Sequence, residues 1–229
     1  MRPRIALLDA SHDDPNTVRN FRRELHADLA EFQVVDGRLP ATVDYDAVVV
    51  TGSRSSVNDA EAWIDETRTY VWEAIDRDIP TLGICWGHQL IADALGGTVE
   101  SMGEYELGYR SVEHTGADLF DGIPEQFTVF VTHQDAVTEL PPGATLIAEN
   151  DYGIHGFQVG TTFGVQSHPE YDVKTAEEVI RRKDLPSERI ESVCAGITSE
   201  AFSEAAVAKR IFDNFGGLVR DTTRSEASV

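Results

Sequence analysis

Thr81-Leu82-Gly83-Ile84-Cys85-Trp86-Gly87-His88-Gln89-Leu90 decides how this chain is read. Apolar Pro80–Cys85 predicts a buried strand, and Gly87–Leu95 predicts the helix that follows it. A lone Gly-x-Cys-x-Gly is no more than a tight turn. Set between a strand and a helix, it is the pattern of a nucleophile elbow with Cys in place of Ser. The sharp turn lifts the side chain clear of the sheet, and the flanking glycines let neighbouring backbone come close. The helix starts beside the sulfur, so its positive end suits an anionic nucleophile.

Working outward, the first half alternates between strand and helix. Arg4–Asp9, Phe32–Val35 and Asp46–Thr51 read as strands. Asp14-Pro15 opens a helix with an N-cap and a proline at its first position, and Asn58–Asp76 reads as another helix. Such alternation predicts a single three-layer α/β domain with a mostly parallel, doubly wound sheet. Ligands in such sheets bind at the carboxyl ends of strands, where Gly52 and Cys85 fall. The second half is strand-rich: Leu107–His114, Phe127–His133, Thr145–Glu149, Ile154–Val159 and Phe163–Ser167 are expected as antiparallel or mixed additions at the sheet edge. A helical C-terminus follows, with Phe202, Ala205, Ala208, Phe212, Phe215 and Val219 on one stripe. It is expected to end at about Gly216-Gly217, leaving residues 1–220 as the domain and 221–229 as a frayed tail.

A second motif completes the chemistry. Phe163-Gly164-Val165-Gln166-Ser167-His168-Pro169-Glu170 predicts a strand ending in His-Pro-Glu. Residues two apart on an extended chain share a face, so Glu170 can hold the ring of His168. Cys85, His168 and Glu170 then form an acyl-transfer triad. Backbone N–H groups of Trp86 and of the Gly52-Ser53 loop are the candidate oxyanion donors.

Together the two motifs resemble the class I glutamine amidotransferases. Gly83-Ile84-Cys85-Trp86-Gly87-His88-Gln89 is similar to that family's G-x-C-x-G-x-Q elbow, and Gln166-Ser167-His168-Pro169-Glu170 to its His-x-Glu segment. Thr51-Gly52-Ser53 stands where the family has its oxyanion loop. Glu106-Leu107-Gly108-Tyr109 and Thr132-His133-Gln134-Asp135 resemble stretches of GMP-synthase glutaminase domains. The resemblance runs from about Ile5 to Glu170. It implies the flavodoxin-like class I amidotransferase fold. It also implies a Cys–His–Glu glutaminase that passes ammonia to a separate synthetase subunit, GMP synthase first among the candidates. Gln89 then hydrogen-bonds substrate, and the His133–Asp135 loop shapes the substrate's amino-acid end. The chain departs from the family in its Thr51-Gly52-Ser53-Arg54-Ser55-Ser56-Val57 loop, in Trp86, and in lacking the Ser-Gly-Gly-x-Asp-Ser loop of an ATP-pyrophosphatase half. Those departures favour an alternative, a stand-alone hydrolase of γ-glutamyl amides or peptides. A non-catalytic regulatory or binding subunit is the third reading, against which the intact Cys85, His168 and Glu170 stand.

Composition narrows the partners. The chain carries 40 Asp+Glu against 19 Lys+Arg, a formal charge of −21, and Lys174, Lys183 and Lys209 are its lysines. Nucleic acid and anionic membranes would be repelled. Acid excess with scarce lysine suggests a salty cytoplasm, where short screening lengths relieve self-repulsion. The sequence has no apolar run long enough to span a membrane, and Arg4–Asp9 reads as a strand rather than a signal peptide. Cys85 and Cys194 are expected to stay reduced, Cys194 as a small buried helix residue. His12, His26, His114 and His155 lack metal-ligand spacing with one another, and Asp13-Asp14 reads as a cap. No phosphate loop of Walker type is present, so no metal and no cofactor are expected. His88 is read as structural.

Overall fold

The computed structural model describes residues 2–226. Nine strands form one sheet: β1 (Arg4–Asp9), β2 (Asp28–Gln33), β3 (Ala47–Val50), β4 (Thr81–Ile84), β5 (Thr98–His114), β6 (Gln126–Glu139), β7 (Thr145–Asn150), β8 (Gly153–Val159) and β9 (Thr162–Val165), in the order β2-β1-β3-β4-β9-β8-β7-β5-β6. The first five in that order pair in parallel, and the pairs from β9 to β8 onward are antiparallel. The expected parallel core is therefore present, with one refinement. β9 lies beside β4 in the parallel part, not among the edge additions, and so brings the end of the His-Pro-Glu segment next to the elbow.

Strands buried on both faces are continuously apolar, as in Ala47-Val48-Val49-Val50. Residues on one face, Ile5, Leu7, Val49 and Leu82, pack with Phe21 of helix α1 (Pro15–Glu24) and with Phe212, Phe215 and Val219 of the C-terminal helix. Ala6, Leu8, Val48 and Val50 on the other face meet α2 (Ala62–Asp76) and α3 (Trp86–Ala94). A third cluster sets α4 (Val173–Arg181) and α5 (Ser187–Ala195) against β5 and β6, with Cys194 buried in it as expected. After the short α6 (Ser199–Ala205), α7 runs Arg210–Glu226, straight through Gly216-Gly217. The expected stop at the glycines is thus corrected. Each glycine costs a helix about 1 kcal/mol, but Phe215 and Val219 on either side of the pair are fully buried and hold the helix together. The expected fraying from Asp221 is met by helix up to Glu226, and residues 227–229 lie outside the described part.

Candidate active site

Cys85 sits between β4 and α3 at φ 53°, ψ −102°, a backbone conformation seldom adopted by a residue with a side chain. Two close approaches force it. A Cβ on Gly83 would lie 2.3 Å from the carbonyl oxygen of Gly87, and one on Gly87 would lie 2.4 Å from that of Val50. Both glycines are therefore required by backbone contact. The Cys85 N–H donates to Val165 at the end of β9 (2.8 Å), which ties the elbow to the neighbouring strand. Trp86 opens α3, so its N–H has no intrahelical acceptor and is free for an incoming oxygen.

The second motif arrives differently from the sequence expectation. β9 ends at Val165, and residues 166–170 form a turn rather than extended strand. His168 and Glu170 still meet, Nδ1 to Oε1 at 2.8 Å, both fully enclosed. The His168 N–H donates to Phe130 of β6 (2.8 Å), and Arg23 of α1 donates to the Glu170 carbonyl (2.5 Å). Tyr171 stacks on the His168 ring, centroids 4.1 Å apart. The ring and Cys85 face the same point of the Gly52 loop: a Cβ on Gly52 would meet His168 Cε1 and Nε2 at 2.8 and 3.7 Å and Cys85 Cβ at 3.7 Å. Burial would push the imidazole pKa down, but the Cys85 and Glu170 charges outweigh it and raise the pKa to about 10. A histidine held by a carboxylate beside a cysteine has the arrangement of a proton-transfer group.

Gly52 lies directly above this pair. A Cβ there would be 2.8 Å from His168 Cε1 and 3.7 Å from Cys85 Cβ. Thr51 holds the loop by accepting from the Ala10 N–H (2.9 Å) and donating to the Gly52 carbonyl (3.0 Å). That bond joins the ends of β1 and β3, where the strand order reverses and ligands of open α/β sheets bind. A cavity of about 450 Å³ opens there, lined by Ser11–Pro15 and Thr17 after β1, Gly52–Arg54 after β3, Thr132, His168, Glu170, Tyr171 and the end of α4.

Gln89, His133 and Asp135 are not among the residues lining that cavity. The Gln89 amide donates to the Asp135 carbonyl (2.7 Å) and to Gln166 (3.0 Å). The Asp135 carboxylate accepts from Ser56 (2.5 Å). His133 bonds the Asp135 carbonyl through Nδ1 (2.9 Å) and Glu106 through Nε2 (2.7 Å). The three residues thus brace the wall behind the elbow, while Thr132, one residue away, faces the cavity. His88 is also internal, fully buried against Phe157 with its pKa lowered to about 3 by burial.

Spacing along the sequence gave no metal ligands, yet the sheet gathers Glu106, His133 and His155. His155 Nε2 stands 3.1 Å from Glu106 Oε2, and Asn150 donates to Oε1 (2.7 Å). The 2.7 Å between His133 and Glu106 is a charge-assisted hydrogen bond. Two ligands about 2.0–2.1 Å from a tetrahedral zinc would stand roughly 3.3 Å apart. The cluster is therefore a buried hydrogen-bonded network. What the sequence reading missed is the Ser11–Asp14 turn and the α4 end. Their one local signal is Ser-His-Asp-Asp before a proline, residue types that tolerate the positive φ found at His12 (55°) and Asp13 (61°).

Fold and site define an α/β protein with a cysteine elbow facing a His–Glu pair. Its sequence matches the glutamine amidotransferase class-I model over residues 16–185, and the chain belongs to that family. It is 32% identical over 163 residues to γ-glutamyl peptidase 5 of Arabidopsis thaliana, 66% of this chain and 65% of that protein. Over 127 residues it is 37% identical to the glutamine-hydrolysing GMP synthase of Thermus thermophilus, which covers 54% of this chain but 24% of the synthase. The crystal structure of a glutamine amidotransferase from Thermotoga maritima shares the fold, with a TM-score of 0.76 at 19% identity over 94% of this chain and 99% of that one. Among the described residues no helix is long and apolar enough to cross a membrane.

Proposed function

We propose that the chain hydrolyses the γ-amide bond of γ-glutamyl compounds through a Cys85 thioester. The observation that carries this is His168 set between Cys85 and Glu170, its Nδ1 on the Glu170 carboxylate at 2.8 Å and its Cε1–Nε2 edge beside the same Gly52 position as the Cys85 Cβ. The thiolate attacks the γ-carbonyl carbon, forming the C–S bond and an oxyanion received by the N–H groups of Trp86 and of the Gly52-Ser53 loop. Each such donor is worth about 3 kcal/mol in the transition state. Collapse breaks the C–N bond, and His168 gives its proton to the departing amine. The sulfur is then uncharged, one cause of the raised His168 pKa is gone, and the neutral ring can take a proton from the water that attacks the thioester. Glutamate leaves and the thiolate returns. Glu170 keeps the ring oriented throughout.

The match to most of the length of a γ-glutamyl peptidase favours release of the free amine. A second reading, delivery of ammonia to a separate synthetase subunit, is favoured by the match to GMP synthases. Ammonia release from glutamine and cleavage of γ-glutamyl peptides, measured alone and with a synthetase added, separate the two. Cys85→Ala is expected to abolish both activities and labelling by a glutamine-analogue electrophile, while Cys194→Ala leaves them intact. Labelling of Cys194 with Cys85 untouched would overturn the site.

A further inference from the structure

Tyr171 lines the cavity together with His168 and Glu170. Its ring lies on the His168 ring, centroids 4.1 Å apart and planes 22° from parallel, and Phe130 packs 5.7 Å away. Its N–H donates to the His168 carbonyl (3.3 Å). The side chain is thus fixed against the histidine of the site. Its hydroxyl has no hydrogen-bond partner among the described residues. Burial, and then the Glu170 and Cys85 charges, hold its pKa well above the ordinary tyrosine value, so the hydroxyl is a neutral donor. Tyrosine hydroxyls held inside a protein usually find a partner, and the cavity is where one can enter. The size of that cavity bears on what the partner belongs to. About 450 Å³ is room for a small organic molecule. Ammonia is close in size to a water molecule, whose share of the liquid is about 30 Å³. The residues expected to meet the glutamyl half, Gln89, His133 and Asp135, are not among those lining it. Arg54, Arg182 and Lys183 are, so an anion that enters meets cations in a chain that is otherwise acidic.

We propose that Tyr171 is a specificity residue for the half of a γ-glutamyl peptide that leaves. Its hydroxyl donates to the first carboxylate or carbonyl oxygen of the departing amino acid, and the cavity takes the rest of that half. The proposal rests on the γ-glutamyl reading above. In that reading His168 gives its proton to the departing nitrogen, so the departing half arrives beside the ring on which Tyr171 lies. The carbon that bears those oxygens adjoins the atom that carries the nitrogen. Glutamine releases ammonia and has no such group, so the contact separates a peptide from glutamine. A site with a hydroxyl to satisfy favours the substrate that brings the acceptor.

The test compares γ-glutamylglycine, γ-glutamylethylamide and glutamine on wild type and on Tyr171→Phe, which keeps the ring and its stack. A hydrogen bond to a carboxylate predicts that the ratio of kcat/KM for γ-glutamylglycine to that for glutamine falls about 10- to 100-fold in Tyr171→Phe. The ratio of γ-glutamylglycine to γ-glutamylethylamide, whose amine carries no carboxylate, is expected to fall as far. A loss of folded or ordered sites lowers every substrate alike and leaves both ratios where they were, and unchanged ratios would overturn the proposal. Wild type alone gives a second measurement. It is expected to prefer γ-glutamylglycine to γ-glutamylethylamide by about 10-fold or more, and equal kcat/KM for the two would also overturn the proposal. So would a wild type that turns over glutamine but not γ-glutamylglycine. A wild type that turns over none of the three would instead count against the proposed activity.

Discussion

At the scale of single residues, the proposed mechanism divides the labour around one ring. In it His168 moves protons, whereas Glu170, 2.8 Å from Nδ1, orients the ring and stabilises its charged form. Removing the proton carrier should therefore cost more than weakening its orienter. His168→Ala is expected to lower kcat by several orders of magnitude and Glu170→Gln by fewer, measured as ammonia release at saturating glutamine. Full activity in His168→Ala would mean that another residue is the base. His88 is poorly suited to that, being fully buried, with a pKa lowered to about 3 that makes it a weak base.

At the scale of elements, Glu106 ties four strands together. It stands on β5 and meets His133 on β6, Asn150 on β7 and His155 on β8. Burial alone would raise the Glu106 pKa, but hydrogen bonds from the two histidines overcome it and lower the value from 4.5 to about 2. A depressed carboxylate contributes stability that is present above its unfolded pKa and is lost as pH falls toward its folded one. Glu106→Gln is expected to destabilise the protein by about 2 kcal/mol at neutral pH, the worth of hydrogen bonds to a buried charge. The gap from wild type should shrink as pH drops below about 4.5. Urea midpoints of both proteins across that range check it; a constant gap would mean that Glu106 is not ionised in the fold. The network also braces the wall behind the elbow, because His133 and Gln89 share the Asp135 carbonyl.

At the scale of the whole molecule, charge dominates. With −21 formal charge, repulsion among surface carboxylates opposes the compact state. Raising salt from ~0.1 M to ~1 M shortens the screening length from about 10 Å to about 3 Å. Melting temperature is expected to rise with KCl over that interval, and activity with it. An unchanged melting temperature would remove the argument for adaptation to a salty interior without touching the site. The helices after Glu170 matter at this scale as well. Asp172 caps α4 and accepts from Arg19 and Arg23 of α1 (2.7 and 3.0 Å), which carries Tyr171 and Lys183 to the pocket.

The sequence by itself determined the elbow, because Gly83, Cys85 and Gly87 act over a single turn where steric exclusion between nearby backbone atoms decides the conformation. It also determined the His168–Glu170 pair. Two residues' separation brings the side chains together even though the chain there turns instead of extending. Alternation of apolar strands and helices was enough for the parallel half of the sheet. Strand order was not legible, since it depends on which distant segments pack together rather than on local pattern. Only the tertiary structure placed β9 beside β4, gathered Glu106, His133 and His155 from separate strands, and drew Gln89, His133 and Asp135 into the wall. It alone brought Ser11–Asp14 and Lys183 from opposite ends of the chain to one cavity, because a pocket at a strand-order reversal is assembled from loops that share no local sequence signal.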